Sequence, residues 1–253
     1  MSSAMSRLKG SLRPIYHRIV KGVNVEPEAH LEIDKYGPFE IAHRPGTDAI
    51  IAGNHAGYRA EELFPGYSPG AADTVIHIGA HIGVSVLVAA AQSPQGTIHG
   101  IEAAQDTYNL LRINIALNSC DNIRPHRLAI SDKAGEVRLY HDIGHWGHSI
   151  TRPMSGRYET VPAVTLEQFL DAQGIERCQF LYLNCEGAEF PILMGASAAT
   201  LRRFDRILAD CHPHLAGGKT ARDLAAHLEA AGLDAQLRKH EGSYQRVAAT
   251  TSV

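Results

Sequence analysis

The segment VIHIGAHIGVSVLVAA (Val75–Ala90) constrains the fold more than any other part of these 253 residues. A short apolar run of strand length stops at Gly79, and an apolar run of helical length starts after Gly83. From Thr74 onward short apolar runs alternate with amphipathic helical ones, the pattern of βαβ units on a parallel sheet. Strands are expected at Thr74–Ile78, Thr97–Glu102, Arg124–Ile130, Gln179–Asn184 and Asp205–Cys211. Helices are expected at Val84–Gln92, Ala104–Asn118 and Thr220–Ala231. The last carries a Thr220/Asp223 capping box, with Gly232 at its end. Glu136–His141 is expected as the hairpin partner of the third strand, and Leu233–His240 with Tyr244–Ala248 as a closing antiparallel pair. The fold class is α/β.

Upstream the pattern is different. Residues 1–69 form an N-terminal extension, and residues 70–253 the main domain. The extension opens with Arg7, Lys9, Arg13, Arg18 and Lys21 and no acid before Glu26. Pro14 is suited to open a short helix with Ile15, Ile19 and Val23 on one face. Short β-like runs follow at Phe39–His43 and Ala49–Ile51, and the Pro/Gly-rich Phe64–Asp73 has the composition of a linker or tight loop.

Composition excludes several function classes. Lys plus Arg number 24 against 27 Asp plus Glu, a net charge of −3, which is not the basic excess of a nucleic-acid binder. Cys120, Cys178, Cys185 and Cys211 form no CxxC pair, so neither a zinc ribbon nor a disulfide framework is indicated. No apolar stretch approaches the ~20 residues of a membrane span, and no export signal is visible. The expected setting is cytoplasmic. With 15 histidines, the net charge is expected to turn positive near pH 6.

The glycine turn lies at the carboxyl end of the first strand, where open α/β sheets bind ligands. Glycine lets a nucleoside approach the backbone closely. Glu102, ending the second strand, is placed to accept two hydrogen bonds from a ribose diol. A dinucleotide fingerprint from Gly79 would need glycines where His81 and Val84 stand, which disfavours a hydride-transfer enzyme. Gly218-Lys219-Thr220 ends like a phosphate-binding loop, but Pro213 occupies the position of its first glycine. Thr220 is better assigned to a helix cap.

The segment FLYLNCEGAEFPILMGA (Phe180–Ala196) is a strand, a loop and a helix start. Glu186 and Glu189 fall on neighbouring helical faces, where they complement the helix dipole. Equally, Asn184 and Glu186 are placed to project over the same crevice as Gly79. Glu186, His212 and His148 are candidate general bases, with His148 in the loop DIGHWGHSITRP, a candidate substrate lid containing His145 and Trp146. His212, His214 and Glu186 are also a conceivable divalent-metal set, but no third ligand is fixed, so no metal is assigned.

In order along residues 45–215, these motifs resemble the FkbM-type methyltransferases. The resemblance is carried by HIGAHIG (His77–Gly83), IEAAQ (Ile101–Gln105) and LLRINIALN with Asn114 and Asn118. It continues through LAISDKAGEVRL (Leu128–Leu139), VTLEQFL (Val164–Leu170) and YLNCEGAE (Tyr182–Glu189). The resemblance implies a Rossmann-like class I fold with a mostly parallel seven-stranded sheet and helices on both faces. It implies S-adenosylmethionine as cosubstrate and O-methylation of a small molecule or sugar. The cosubstrate site it implies comprises His77, Gly79, Ala80, His81, Gly83, Glu102, Ala103, Ser131 and Asn184.

This chain has His77 and Asn184 where the family pattern has acids, and Tyr182 where it has a lysine. A second functional class follows from those departures, a methyltransferase-fold binding or scaffold protein without turnover. The partner expected on the main reading is a small-molecule or glycan acceptor, with no nucleic acid.

Overall fold

A computed structural model describes residues 31–55, 63–142, 147–153, 155–239 and 245–251. The basic arm at 1–23 and His145 with Trp146 lie outside them. A hairpin opens the described chain, β1 (Glu32–Tyr36) with β2 (Phe39–His43), followed by α1 (Thr47–His55). The βα units come next: β3 (Thr74–Ile78), α2 (Val84–Gln92), β4 (Thr97–Ile101), α3 (Gln105–Leu117) and β5 (Ile123–His126). Then come β6 (Ala129–Ile130), β7 (Gly135–Tyr140), β8 (Tyr158–Val164), α4 (Leu166–Ala172) and β9 (Cys178–Leu183). The chain ends with α5 (Glu189–Gly195), α6 (Ala198–Leu201), β10 (Phe204–Cys211), α7 (Ala221–Ala230), β11 (Leu233–Lys239) and β12 (Gln245–Thr251).

Seven strands form one sheet in the order β11-β12-β10-β9-β3-β4-β5, with β12 antiparallel to both its neighbours. The strand order reverses between β3 and β9, which pair in parallel with Ile78 opposite Leu183. That reversal opens the ligand crevice of such sheets at the carboxyl ends of the two strands. One face is packed by α4, α5 and α7 through Ile76, Leu181, Phe190 and Leu224. The other is packed by α2, α3 and the N-terminal hairpin through Val75, Leu87, Leu111 and Ile41.

Three expectations need correction. Ala49–Ile51 is not β structure but the middle of α1. Asp48 and Ala52, four apart, face inward while Ile50 is half exposed, and the Asp48 carboxylate accepts from the Arg44 amide at 3.1 Å. The expected third strand Arg124–Ile130 breaks in two: β5 joins the main sheet, and β6 leaves it for a three-stranded sheet of order β6-β8-β7. β7 therefore pairs antiparallel with β8 and is no hairpin partner of β5. Finally, Glu186 precedes the helix instead of opening it, with φ at +51°.

The two asparagines of α3 carry the hairpin. Asn114 is fully buried: its Oδ1 accepts from Ala42 N at 2.7 Å, and its Nδ2 donates to Ala42 O at 3.0 Å and Ile82 O at 2.8 Å. Asn118, one turn later, makes the same pair of bonds with Glu40 N and O. A side-chain amide offers one acceptor beside donors, so each asparagine mimics the strand neighbour that β2 lacks on this side. Among the described residues no helix is long and apolar enough to cross a membrane.

Candidate active site

Two loops meet over the crevice. The first is the turn from β3 into α2, with Gly79, His81 and Gly83 all at positive φ. Gly79 and Ala80 both donate to Ile101 O, at 3.0 and 2.9 Å, which folds the turn back on the end of β4. A Cβ on Gly79 would stand 2.0 Å from Asn184 O, so only glycine lets the second loop approach. A Cβ on Gly83 would stand 2.6 Å from Leu111 Cδ1, where α2 packs on α3.

Glu102 closes this side. Its Oε2 accepts from His81 N at 3.0 Å and its Oε1 from Ala104 N at 2.9 Å, so the carboxylate holds the glycine turn and the entry to α3 together. Burial pushes its pKa up to about 7, although both amide bonds oppose the shift. A carboxylate has about four acceptor positions. Two backbone donors therefore leave each oxygen able to accept once more.

The second loop runs from Asn184 to Ala188. Asn184 N donates to Ile78 O at 3.0 Å, continuing the β3–β9 pairing by one residue. Glu186 takes a left-handed backbone, rare for a residue with a Cβ. Ser149 Oγ holds its carbonyl at 2.8 Å. The Glu186 carboxyl lies 3.3 Å from His212 Nε2. Burial pushes its pKa up to about 7; the His212 charge opposes the shift, while Glu189 and Asp142 add to it.

Between the loops lies an open cleft of about 610 Å³, counted with its solvent-filled mouth. Gly79, His81, Glu102 and Ala103 line one wall, and Asn184, Glu186 and His148 the other. Leu128, Ile130, Leu139 and Ile150 supply an apolar side. His148 Nδ1 accepts from Asp142 N at 2.9 Å, which leaves the ring proton on Nε2 in the neutral form.

Other residues singled out from the sequence stand elsewhere. His77 is not part of the lining: its Nδ1 lies 2.6 Å from Ser85 Oγ, and its ring stacks on Tyr182 at 4.4 Å. Ala80 is packed in the core beneath the turn, and Ser131 is buried with its amide on Val164 O. His212 sits behind Glu186, and its ring is 6.2 Å from that of His214. Thr220 caps α7 through a reciprocal bond with Asp223.

Sequence reasoning missed Leu139 and Ile150 as cleft walls and Ser149 as the clamp on Glu186. The period-two alternation of Val137 and Leu139 against Glu136, Arg138 and Tyr140 was the available signal for the first. Nothing local marks Ser149, because its partner is 37 residues away.

The FkbM methyltransferase domain model matches residues 77–234. No curated protein matches the chain in sequence. Among solved structures, the FkbM methyltransferase of Methylobacillus flagellatus superposes with a TM-score of 0.52 at 15% identity, covering 76% of this chain and 48% of that one. This chain thus spans about half the length of that relative. A fibrillarin-type pre-rRNA processing protein from Methanococcus jannaschii gives 0.48 at 14% identity, over 92% and 86% of the two chains. A SAM-dependent methyltransferase from Aquifex aeolicus gives 0.47 at 10%, over 76% and 89%.

Proposed function

The chain belongs to the FkbM methyltransferase family, and from that premise we propose that it transfers the methyl group of S-adenosylmethionine to a hydroxyl of a small metabolite or sugar. The cleft fits the cosubstrate by its chemistry. Gly79 leaves no Cβ in the turn, Glu102 keeps acceptor capacity at the end of β4, and the apolar side suits an adenine ring. Among the described residues the lining includes Glu102 and Glu186 but neither lysine nor arginine, which suits a sulfonium cation. When bound, S-adenosylmethionine supplies an electrophilic methyl group on a cationic sulfur.

The rest falls to this chain's own residues. Glu102 accepts from a sugar diol while keeping the glycine turn in place. Asn184 presents a neutral amide that can orient an acceptor without competing for its proton. The apolar wall of Leu128, Ile130 and Leu139 excludes water, which would otherwise solvate the nucleophile. Glu186 takes the acceptor's proton.

The observation that carries the hydroxyl reading is Glu186. A general base works best with a pKa near the working pH, and this carboxyl is held at about 7 on the cleft wall. A carboxylate acceptor would need no such base and would meet like charge there.

The test is incubation with S-adenosylmethionine and a panel of neutral polyols, carboxylates and amines, reading S-adenosylhomocysteine and product mass. Methyl ethers from the polyols are expected. Methyl esters or methylamines alone would overturn the acceptor assignment, and cosubstrate binding without any product would make the chain a nucleoside-binding protein.

A further inference from the structure

Behind Glu186 a second carboxylate and an imidazole are arranged in line. Glu189 is fully buried at the start of α5. Its Oε1 accepts from Cys185 N at 2.7 Å and its Oε2 from Gly187 N at 2.9 Å. Both oxygens thus serve as acceptors toward the backbone. Its Oε1 also lies 3.0 Å from His212 Nδ1. With Glu189 as the acceptor, this contact places a proton on Nδ1. His212 Nε2 then faces Glu186 Oε1 at 3.3 Å.

We propose that Glu189 is a positioning residue: it holds His212 with its proton on Nδ1, so that Nε2 serves Glu186 as it takes the acceptor's proton. The proposal rests on the methyltransferase reading for its purpose, but its geometry stands by itself. In the resting pair one proton lies between Nε2 and Oε1, leaving Glu186 a carboxylate beside an imidazolium. During transfer the acceptor's O–H proton passes to the other Glu186 oxygen. The acceptor oxygen bonds to the methyl carbon as the carbon–sulfur bond breaks, and its electron pair stays on sulfur. Glu186 leaves the step as a carboxylic acid and returns the proton to solvent through the cleft.

The electrostatics agree with the geometry. Burial alone lowers the His212 pKa, but the Glu189 hydrogen bond and the Glu189, Glu186 and Asp210 charges raise it above the ordinary value. The ionisable groups facing the pair come from several elements: Glu189 on α5, Asp210 on β10, His214 just after it, Cys185 in the second loop, and Asp142 after β7. A helix-dipole role for Glu189 explains its position but not the imidazole on the far side. The strained Glu186 backbone gives the arrangement its shape, because Glu189 ties down the amides on both sides of that residue.

Nitrogen-15 NMR of histidine-labelled full-length chain tests this without an acceptor, with His212→Gln identifying the resonances. In wild type, His212 should titrate above an ordinary histidine and be protonated on Nδ1 when neutral. Glu186→Gln should lower its proton affinity at least tenfold and leave the Nδ1–H tautomer in place. Glu189→Gln should lose that tautomer. A neutral Nε2–H tautomer in wild type overturns the proposal, as does a Glu189→Gln chain with unchanged tautomer and titration. If Glu189→Gln does not fold by circular dichroism, wild type and Glu186→Gln decide. A titration of the same wild-type sample with S-adenosylmethionine keeps the readings apart: absent binding defeats the methyltransferase assignment and leaves the tautomer result intact.

Discussion

Gly79 and Asn184 touch across the switch point of the sheet, with the Asn184 carbonyl oxygen 2.0 Å from where a Gly79 Cβ would stand. The two loops that form the cleft are thus in backbone contact, and the contact exists only because position 79 has no side chain. It also sits beside Glu102, since Gly79 and Ala80 share the Ile101 carbonyl one residue earlier.

Gly79→Ala combines a backbone clash with a positive φ, so relief requires one loop to move. The expected cost is about 2–4 kcal/mol, together with loss of cosubstrate binding. Urea denaturation and calorimetry would measure both, and a variant within ~0.5 kcal/mol of wild type would show that the loops are not packed as described.

Stability should fall as pH rises from about 4.5 to 7. The Glu102 and Glu186 pKa values are both raised by burial from 4.5 to about 7 in the folded chain. The folded state therefore holds protons that the unfolded chain has already released. That contribution is complete below the unfolded value and is lost as pH passes the folded one, by up to ~3 kcal/mol for each group. The raised His212 pKa acts in the same direction, since its stabilisation is also lost with rising pH. Glu102→Gln and Glu186→Gln should each flatten the denaturation profile between pH 5 and 8. A profile unchanged by both would contradict the assigned shifts.

Asn114→Ala should be far more damaging than Asn118→Ala. The first leaves a buried amide and two buried carbonyls without their partner, a cost of about 3 kcal/mol. The second acts where the Glu40 backbone is exposed to water, and about 0.5–1 kcal/mol is expected. Equal losses in denaturant midpoints would argue against the strand-mimic role of α3.

Replacing His77 should affect the fold and not the cosubstrate. His77→Asn keeps a partner for Ser85 but loses the stack on Tyr182, for an expected ~1 kcal/mol. Affinity for S-adenosylmethionine should stay within about threefold. A tenfold change at constant stability would place His77 in the site after all.

The sequence made the βα alternation legible because β3, β4 and β9 are buried on both faces and α3 and α7 carry an apolar stripe. It located the glycine turn, Glu102 and Glu186 because their residue types are tied to the ends of those strands. It did not reveal the three-stranded sheet. β8 contains Pro162 and Glu159, which dilute a strand signal. Pro162 is tolerated because β6 reaches only Ala163 and Val164, leaving β8 with a single neighbour at that point. Position 77 misled for a related reason: it ends the right strand, but its side chain leaves the crevice for the face where Tyr182 stands opposite it. Strand-end position alone does not say which face a side chain takes.

The methyltransferase reading puts an adenosyl group over the glycine turn with its sugar diol on Glu102. Calorimetric titration of wild type and Glu102→Ala with S-adenosylmethionine and S-adenosylhomocysteine tests it most directly. One site per chain is expected in wild type, weakened by about 1–3 kcal/mol in the variant, the worth of charge-assisted hydrogen bonds. No binding to wild type, or the same affinity in both proteins, would contradict it.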